Sequence, residues 1–380
     1  MTSDWARTSD WARTPDGHYY SNKAQVLKFL SYSLQLIPYL LLLYAICQSS
    51  VFFPKFESLI STQDTAKHSH SSVSQSIILF LATALFGNTA ALFMSTFYGL
   101  GMTALFFLLT LFLAEHRFWR LAGFSFGFCV LCDYGSSLLV LPMLVWLFYR
   151  DKKSVLPFVL GAIPAAILWV WYHTSAFGSP FRIANQFQNP MYQDLQQEKN
   201  NLWGVLVPFP RISILKELLV GSSRGILWTQ PWVLVAAVIP WFHKVNGRKK
   251  HLYYLLFTST LGLLWMNACF GGWHGGLPPG PRYLCTVFPA WALWIGIIFP
   301  ELSTAWRAIL GVTILPSVFF SALVYASQLS ADLTPLWPLY LNRVFVNFSP
   351  TTLSRGIVIL MIATMLSFRT YRFWGNRVNS

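Results

Sequence analysis

The feature that most constrains this chain is a succession of long apolar runs separated by short polar turns. A helix needs about 20 apolar residues to cross a bilayer. Only 11% of the residues are charged, whereas soluble globular proteins carry about 25%. The sequence therefore predicts an all-α, polytopic integral membrane protein with about eleven transmembrane helices. They are predicted at about 31–53, 76–90, 93–114, 121–132, 136–149, 154–173, 224–241, 252–270, 283–299, 305–325 and 356–370.

The placement of Lys and Arg predicts which side of the membrane each turn faces. Basic residues concentrate in the segments 115–120, 150–153, 243–251 and 369–377. With eleven helices these segments fall on one side, which the positive-inside rule makes cytoplasmic, together with the C-terminus. The net charge of +14 is therefore explained without the basic stripe of a nucleic-acid-binding protein.

The opposite, extracytoplasmic face receives the segments that carry the candidate site. We expect residues 1–380 to form a single transmembrane domain with a large outer loop at 174–223. A second outer loop, 271–282, is rich in Gly and Pro, which rules out a regular helix there. Because successive helices cross the membrane in alternate directions, Asp133 and residues 326–355 are also predicted to lie on this face.

The N-terminal segment 1–30 falls on the same outer face, with no helix before it to carry it across. Residues 3–8 recur at once as residues 9–14, which indicates a local duplication. We expect this segment to be the remnant of a first extracytoplasmic loop in an N-terminally shortened chain. Asp10 then keeps the spacing to the residues that follow.

Two carboxylates are candidates for acid–base chemistry, since a transferase needs a base to deprotonate its acceptor hydroxyl. Asp10 lies in the N-terminal loop, and the alternative for it is a solvated polar tail with a turn at residues 15–17. Asp133 stands between the runs 121–132 and 136–149, which are either two short helices or one long kinked helix. Acids at such depth are usually functional, and the alternative is a cap on the next helix.

Three cations on the outer face are candidates for binding a phosphate: Lys23, Arg224 and Arg282. The two arginines run against the positive-inside bias, which favours a bound anion, although Arg224 could instead reach toward lipid head groups. Further candidates for contact with substrate are His18, Tyr20, Trp273 and His274.

No metal and no cofactor are predicted, because no His, Asp or Glu group has the spacing of metal ligands. Cys129 and Cys132 form a Cys-x-x-Cys pair, but they lie on a candidate membrane helix. Packing is therefore favoured over redox or metal chemistry for this pair.

Four parts of the chain resemble the GT-C-type polytopic glycosyltransferases, specifically the bacterial inner-membrane group. They are residues 17–24 (Gly-His-Tyr-Tyr-Ser-Asn-Lys-Ala), residues 96–99 (Thr-Phe-Tyr-Gly), residues 177–181 with 223–226, and residues 271–284 (Gly-Gly-Trp-His-Gly-Gly-Leu-Pro-Pro-Gly-Pro-Arg-Tyr-Leu). The last is the most specific, and together they follow the group's order over nearly the whole chain.

The resemblance implies an inverting transferase that moves a sugar from a polyprenyl-phosphate donor to an acceptor outside the bacterial inner membrane. Lys23 matches the lysine that binds the lipid phosphate in that group, and Arg282 would be a second phosphate ligand. The chain departs from the group at Gln25-Val26, where Pro-Gly is usual, and at Leu100, where His is usual. The group's principal carboxylate lies upstream of the first residue here, so an inactive relative with a binding role stays an alternative.

A different class of protein could use the same cations. A secondary transporter or flippase for an anionic, lipid-linked substrate would also need them on one face. Transporters tend to show paired repeats and broken helices near the membrane midplane. This chain shows no such internal symmetry, and its candidate residues lie at helix ends, which favours the transferase.

Overall fold

A computed structural model describes residues 32–53, 75–94, 99–182, 187, 206–275 and 280–327. Within these ranges every regular element is a helix, and an isolated antiparallel bridge pairs Leu206 with Phe270. The predicted all-α class is therefore confirmed for this part of the chain. The predicted helix at 356–370 lies outside the described residues.

Thirteen α-helices lie in the described ranges. The α-helices in the described ranges are α1 (Ile37–Gln48), α2 (Gln75–Leu85), α3 (Thr89–Met94), α4 (Gly99–Glu115), α5 (Trp119–Cys132), α6 (Val140–Arg150), α7 (Val155–Phe177), α8 (Ile212–Val220), α9 (Ile226–Thr229), α10 (Pro231–Phe242), α11 (Gly247–Cys269), α12 (Phe288–Ile298) and α13 (Thr304–Ser327). A π-helical turn, Tyr32–Leu36, precedes α1. Short 3-10 segments occur at Tyr134–Leu139, Lys152–Ser154, Arg282–Leu284 and Phe299–Glu301.

Within the described residues, predicted continuous runs are interrupted. The run 76–90 is divided between α2 and α3, and the run 224–241 breaks at Gln230, directly before the proline that begins α10. The run 283–299 begins as a 3-10 turn and becomes α-helical only at Phe288, where a proline follows at the first helical turn. Proline is favoured at helix starts and cannot donate in a helix interior, which explains the last two boundaries. A short helix, α8, also lies inside the predicted loop 174–223.

In the part of the chain that the structure describes, three helices are long and apolar enough to cross a membrane: Lys152–Phe177, Gly247–Cys269 and Thr304–Val324. The first of them turns large apolar side chains outward, including Leu156, Ile167 and Trp171, each more than 60% exposed. A continuous exposed apolar surface of this kind marks contact with lipid or a partner. These observations support membrane association of the chain.

Helices α5 and α7 pack with their backbones in direct contact. A Cβ atom added at Gly123 would lie 1.8 Å from the Phe158 carbonyl oxygen, and one added at Gly161 would lie 2.0 Å from that of Arg120. Small residues allow such close approach between apolar helices, where dispersion forces replace the hydrophobic effect as the source of association. The glycines therefore hold α7 against the rest of the bundle.

The basic turns lie at one end of the bundle. Arg150 donates to both carboxylate oxygens of Glu115, at 2.5 and 2.8 Å, and so joins the segments 115–120 and 150–153. His116 pairs with Ser49 at 3.0 Å, which brings the end of α1 to the same place. We call the end formed by 49–53, 115–120, 150–153 and 243–251 the basic end.

The third basic segment joins this end through α12. Lys249 forms an ion pair with Glu301 just beyond α12. A Cβ at Gly296, one turn earlier, would lie 3.5 Å from the Phe53 ring. Of the four segments that the charge pattern assigned to one side, 115–120, 150–153 and 243–251 are therefore together in the structure, and 369–377 lies outside the described residues. The turns that carry Asp133, Arg224 and Arg282 occupy the opposite end, which we call the site end.

Candidate functional site

The described residues include five of the predicted site residues. These are Asp133, Arg224, Trp273, His274 and Arg282. The predictions for Asp10, His18, Tyr20 and Lys23 fall outside the described residues. The site below is therefore built from the five residues at the site end.

Asp133 lies at a sharp junction between two helices. Its backbone is extended, with φ −152° and ψ 121°, so α5 and the following 3-10 segment are separate helices and not one kinked helix. Its side chain makes no capping hydrogen bond; the Ser136 amide instead donates to the Asp133 backbone oxygen at 3.0 Å. Among the described residues, the Oδ2 atom is buried without a hydrogen-bond partner. Buried polar atoms nearly always have a partner, so this unsatisfied carboxylate oxygen marks Asp133 as a candidate functional group.

Burial raises the pKa of the Asp133 carboxyl, while the Gly135 amide and the Arg282 guanidinium act in the opposite direction. Burial is the largest of the three causes, because removal from water disfavours the charged form. The influence of Arg282 shows that acid and cation lie within electrostatic range. A carboxyl with a raised pKa beside a cation has the properties of a general base.

Arg282 closes the loop of residues 271–282. Its Nη1 donates to the Gly275 carbonyl oxygen at 2.5 Å, and its guanidinium lies over the Tyr283 ring at 5.0 Å. Gly275 has a φ of 70°, and a Cβ there would lie 2.8 Å from Arg282 Cδ. Glycine is therefore required for the arginine to fold back on its own loop.

Arg224 contacts the same loop from the turn before α9. Its Nε donates to the His274 carbonyl oxygen at 3.0 Å and its Nη1 to that of Ser223 at 3.1 Å. The residue is only 1% exposed, so it lies inside the protein and does not reach outward to head groups. In this arrangement Arg224 positions the loop, and direct contact with a phosphate requires the loop to move.

His274 lies beside both arginines. Burial lowers the pKa of its imidazole, and the charges of Arg224 and Arg282 lower it further. A neutral ring is therefore favoured, which can donate or accept one hydrogen bond but adds no charge. The Trp273 ring lies 5.9 Å from the imidazole, centre to centre, and is partly exposed.

The site end also contains residues that the sequence analysis did not select. Gly280 has a φ of 75°, and a Cβ added there would lie 3.3 and 3.5 Å from the methyl groups of Thr89 and Thr229. Gln230 donates to the Thr89 hydroxyl at 3.0 Å, and its Oε1 is buried without a partner among the described residues. The sequence could have pointed to Gln230, because it is a polar residue inside the apolar run 224–241, directly before Pro231.

Comparison of the chain with protein-family models, with curated proteins and with solved structures found no match. In the described ranges, no group of three or more His, Cys, Asp or Glu side chains is arranged to hold a metal ion. The site end is thus characterised by its own geometry: a buried carboxyl, two arginines and a loop that both arginines contact.

Proposed function

We propose that this chain is a polytopic glycosyltransferase of the bacterial inner membrane, with about eleven spans and a cytoplasmic C-terminus. It would transfer a sugar from a polyprenyl-phosphate donor to an extracytoplasmic acceptor. The observation that supports this most directly is the buried carboxyl of Asp133, whose Oδ2 has no hydrogen-bond partner among the described residues and which lies within electrostatic range of Arg282. A base and a cation so placed are what displacement of a phosphate from a sugar requires.

In the proposed reaction Asp133 takes the proton of the acceptor hydroxyl. The acceptor oxygen then attacks the anomeric carbon, and the bond from that carbon to the phosphate oxygen breaks. The electron pair leaves with the polyprenyl phosphate, whose charge Arg282 and Lys23 stabilise. No cofactor takes part. Asp10 is the second candidate base, in the N-terminal segment.

The other residues have supporting roles in this proposal. Arg224 fixes the loop through the His274 carbonyl and contacts the phosphate when the loop shifts. Trp273 and His274, with His18 and Tyr20 from the N-terminal segment, would contact the sugar or its acceptor. A neutral imidazole suits hydrogen bonding to a sugar hydroxyl better than charge stabilisation.

The test is transfer of a labelled sugar from a polyprenyl-phosphate donor in membranes that contain the protein. Loss of a general base lowers rates by about 10²–10⁴-fold, and loss of one charge-stabilising donor by about 10²–10³-fold. We therefore expect Asp133→Asn and Arg282→Ala to lose transfer to these extents. Arg248→Ala, which removes an exposed cation from the basic end, is the matched control and should retain transfer.

Two outcomes would overturn the proposal. One is transfer that survives in both Asp133→Asn and Arg282→Ala. The other is wild-type protein that moves the intact lipid-linked substrate across the bilayer without transferring its sugar, which would indicate a flippase. The sidedness is tested separately by introducing Ser222→Cys at the site end and Lys152→Cys at the basic end, both exposed. A membrane-impermeant maleimide applied from outside should label only the first.

A further inference from the structure

We propose that a groove between α5 and α7, near the basic end, binds an anionic phospholipid from the adjacent leaflet. The groove has a volume of about 300 Å³. Its lining residues are Arg120, Leu121, Phe124, Leu160, Gly161 and Pro164. It lies at the opposite end from Asp133 and does not depend on the proposed transferase activity.

The groove exists because of the close backbone contact described above. Gly161 lies against the Arg120 carbonyl, and neither Gly161 nor Pro164 provides a long side chain to fill the space beside the crossing. The walls are apolar and face outward: Leu121, Phe124 and Leu160 are 56%, 43% and 44% exposed. Together with the exposed apolar side of α7, these walls suit a lipid acyl chain.

The charge at the mouth of the groove selects the head group. Arg120 is the only charged residue among those that line it. On the basic turns, Glu115 is paired with Arg150, and the charge of Asp151 is outweighed by those of Lys152 and Lys153 that follow it. The backbone of Arg120 lines the groove beside Gly161, and the residue is exposed. A positively charged residue therefore lies next to an apolar channel, which matches a negatively charged phospholipid and not a neutral one.

The occupant is thus a membrane lipid and not a protein segment. An acyl chain fills the apolar groove while its phosphate lies at Arg120. The basic turn 150–153 adds further positive charge to the same end of the bundle. Basic residues at a membrane surface attract anionic lipids in this way.

The experiment is native mass spectrometry of the purified full chain, titrated with phosphatidylglycerol or phosphatidylcholine. We expect the wild-type protein to retain phosphatidylglycerol in preference to phosphatidylcholine. A basic residue near an anionic surface contributes an affinity of about fivefold, so Arg120→Ala should lower phosphatidylglycerol retention by about this factor. Leu160→Trp should fill the groove and lower the retention of both lipids.

Two matched variants control for general effects. Arg248→Ala removes another exposed cation from the basic end, and Leu168→Trp enlarges an exposed side chain on α7 outside the groove. Both should bind lipid like the wild-type protein. Equal retention of the two lipids by the wild type, or an equal effect of Arg120→Ala and Arg248→Ala, would overturn the proposal. Absence of any lipid retained by the wild type would also overturn it, and would indicate that another part of the chain fills the groove.

Discussion

The contact between α5 and α7 makes a quantitative prediction about stability. A Cβ added at Gly161 would lie 2.0 Å from the Arg120 carbonyl oxygen, which is about 1.4 Å short of ordinary van der Waals contact. The opposing atom belongs to a helix backbone, so it cannot rotate away as a flexible side chain can. The two helices must therefore separate or tilt, and they lose the dispersion contacts on both sides of the crossing.

We expect Gly161→Ala to lower the free energy of unfolding by about 1–3 kcal/mol, the usual cost of an overpacked interior. Gly311→Ala on α13 is the matched control, because its Cβ would have no atom within 4 Å. The control gains helix propensity and should be neutral or slightly stabilising. Unfolding of the purified protein by sodium dodecyl sulfate titration measures both. Equal stability of Gly161→Ala and Gly311→Ala would refute the close packing of α5 on α7.

Three further predictions concern charged and titratable groups. Burial raises the pKa of Asp133, so the free energy of unfolding should fall as pH rises from the ordinary carboxyl pKa to the raised one. Asp133→Asn should remove this fall when unfolding is measured as a function of pH. A fall of the same size in Asp133→Asn would contradict the assignment. The pKa of His274 is lowered, so stability should fall as pH drops from the ordinary histidine pKa to the lowered value, and His274→Gln should flatten that decrease. Glu115→Gln should lower the free energy of unfolding by about 2 kcal/mol, because it breaks a mostly buried pair with Arg150. Glu301→Gln, which breaks a more exposed pair, should lower it by about 0–1 kcal/mol. Equal losses in denaturation experiments would show that burial does not distinguish the two pairs.

For the turns that the structure describes, the charge pattern of the sequence was sufficient to predict which of them share an end of the bundle. Lys and Arg are enriched in the turns on the cytoplasmic side of a membrane, and this enrichment can be read from the residues of each turn alone. It placed Asp133 and Arg282 at the same end, where the structure has them within electrostatic range. The interruption at Asp133 was also visible, as an acid between two apolar runs.

The contacts of the two arginines could not be predicted in the same way. Arg224 donates to a carbonyl that is 50 residues later in the chain, and no local pattern reports such a contact. The sequence therefore left open whether Arg224 reaches toward lipid or lies inside. Gln230 was missed for a related reason: a polar residue in an apolar run indicates burial of a polar group but does not identify its partner.

The unequal burial of the candidate membrane helices has a consequence for how the chain is assembled. In the apolar stretch of the helix Lys152–Phe177, only 17% of the residues are buried inside the protein, against 56% in that of Gly247–Cys269. The first helix can be stable in lipid by itself, whereas the second needs its neighbours to cover the polar side chains Ser259 and Asn267, which are fully buried in the bundle. We therefore expect Gly247–Cys269 to be stable in the bilayer only when it is packed against its neighbours in the bundle, which include α6 and α12.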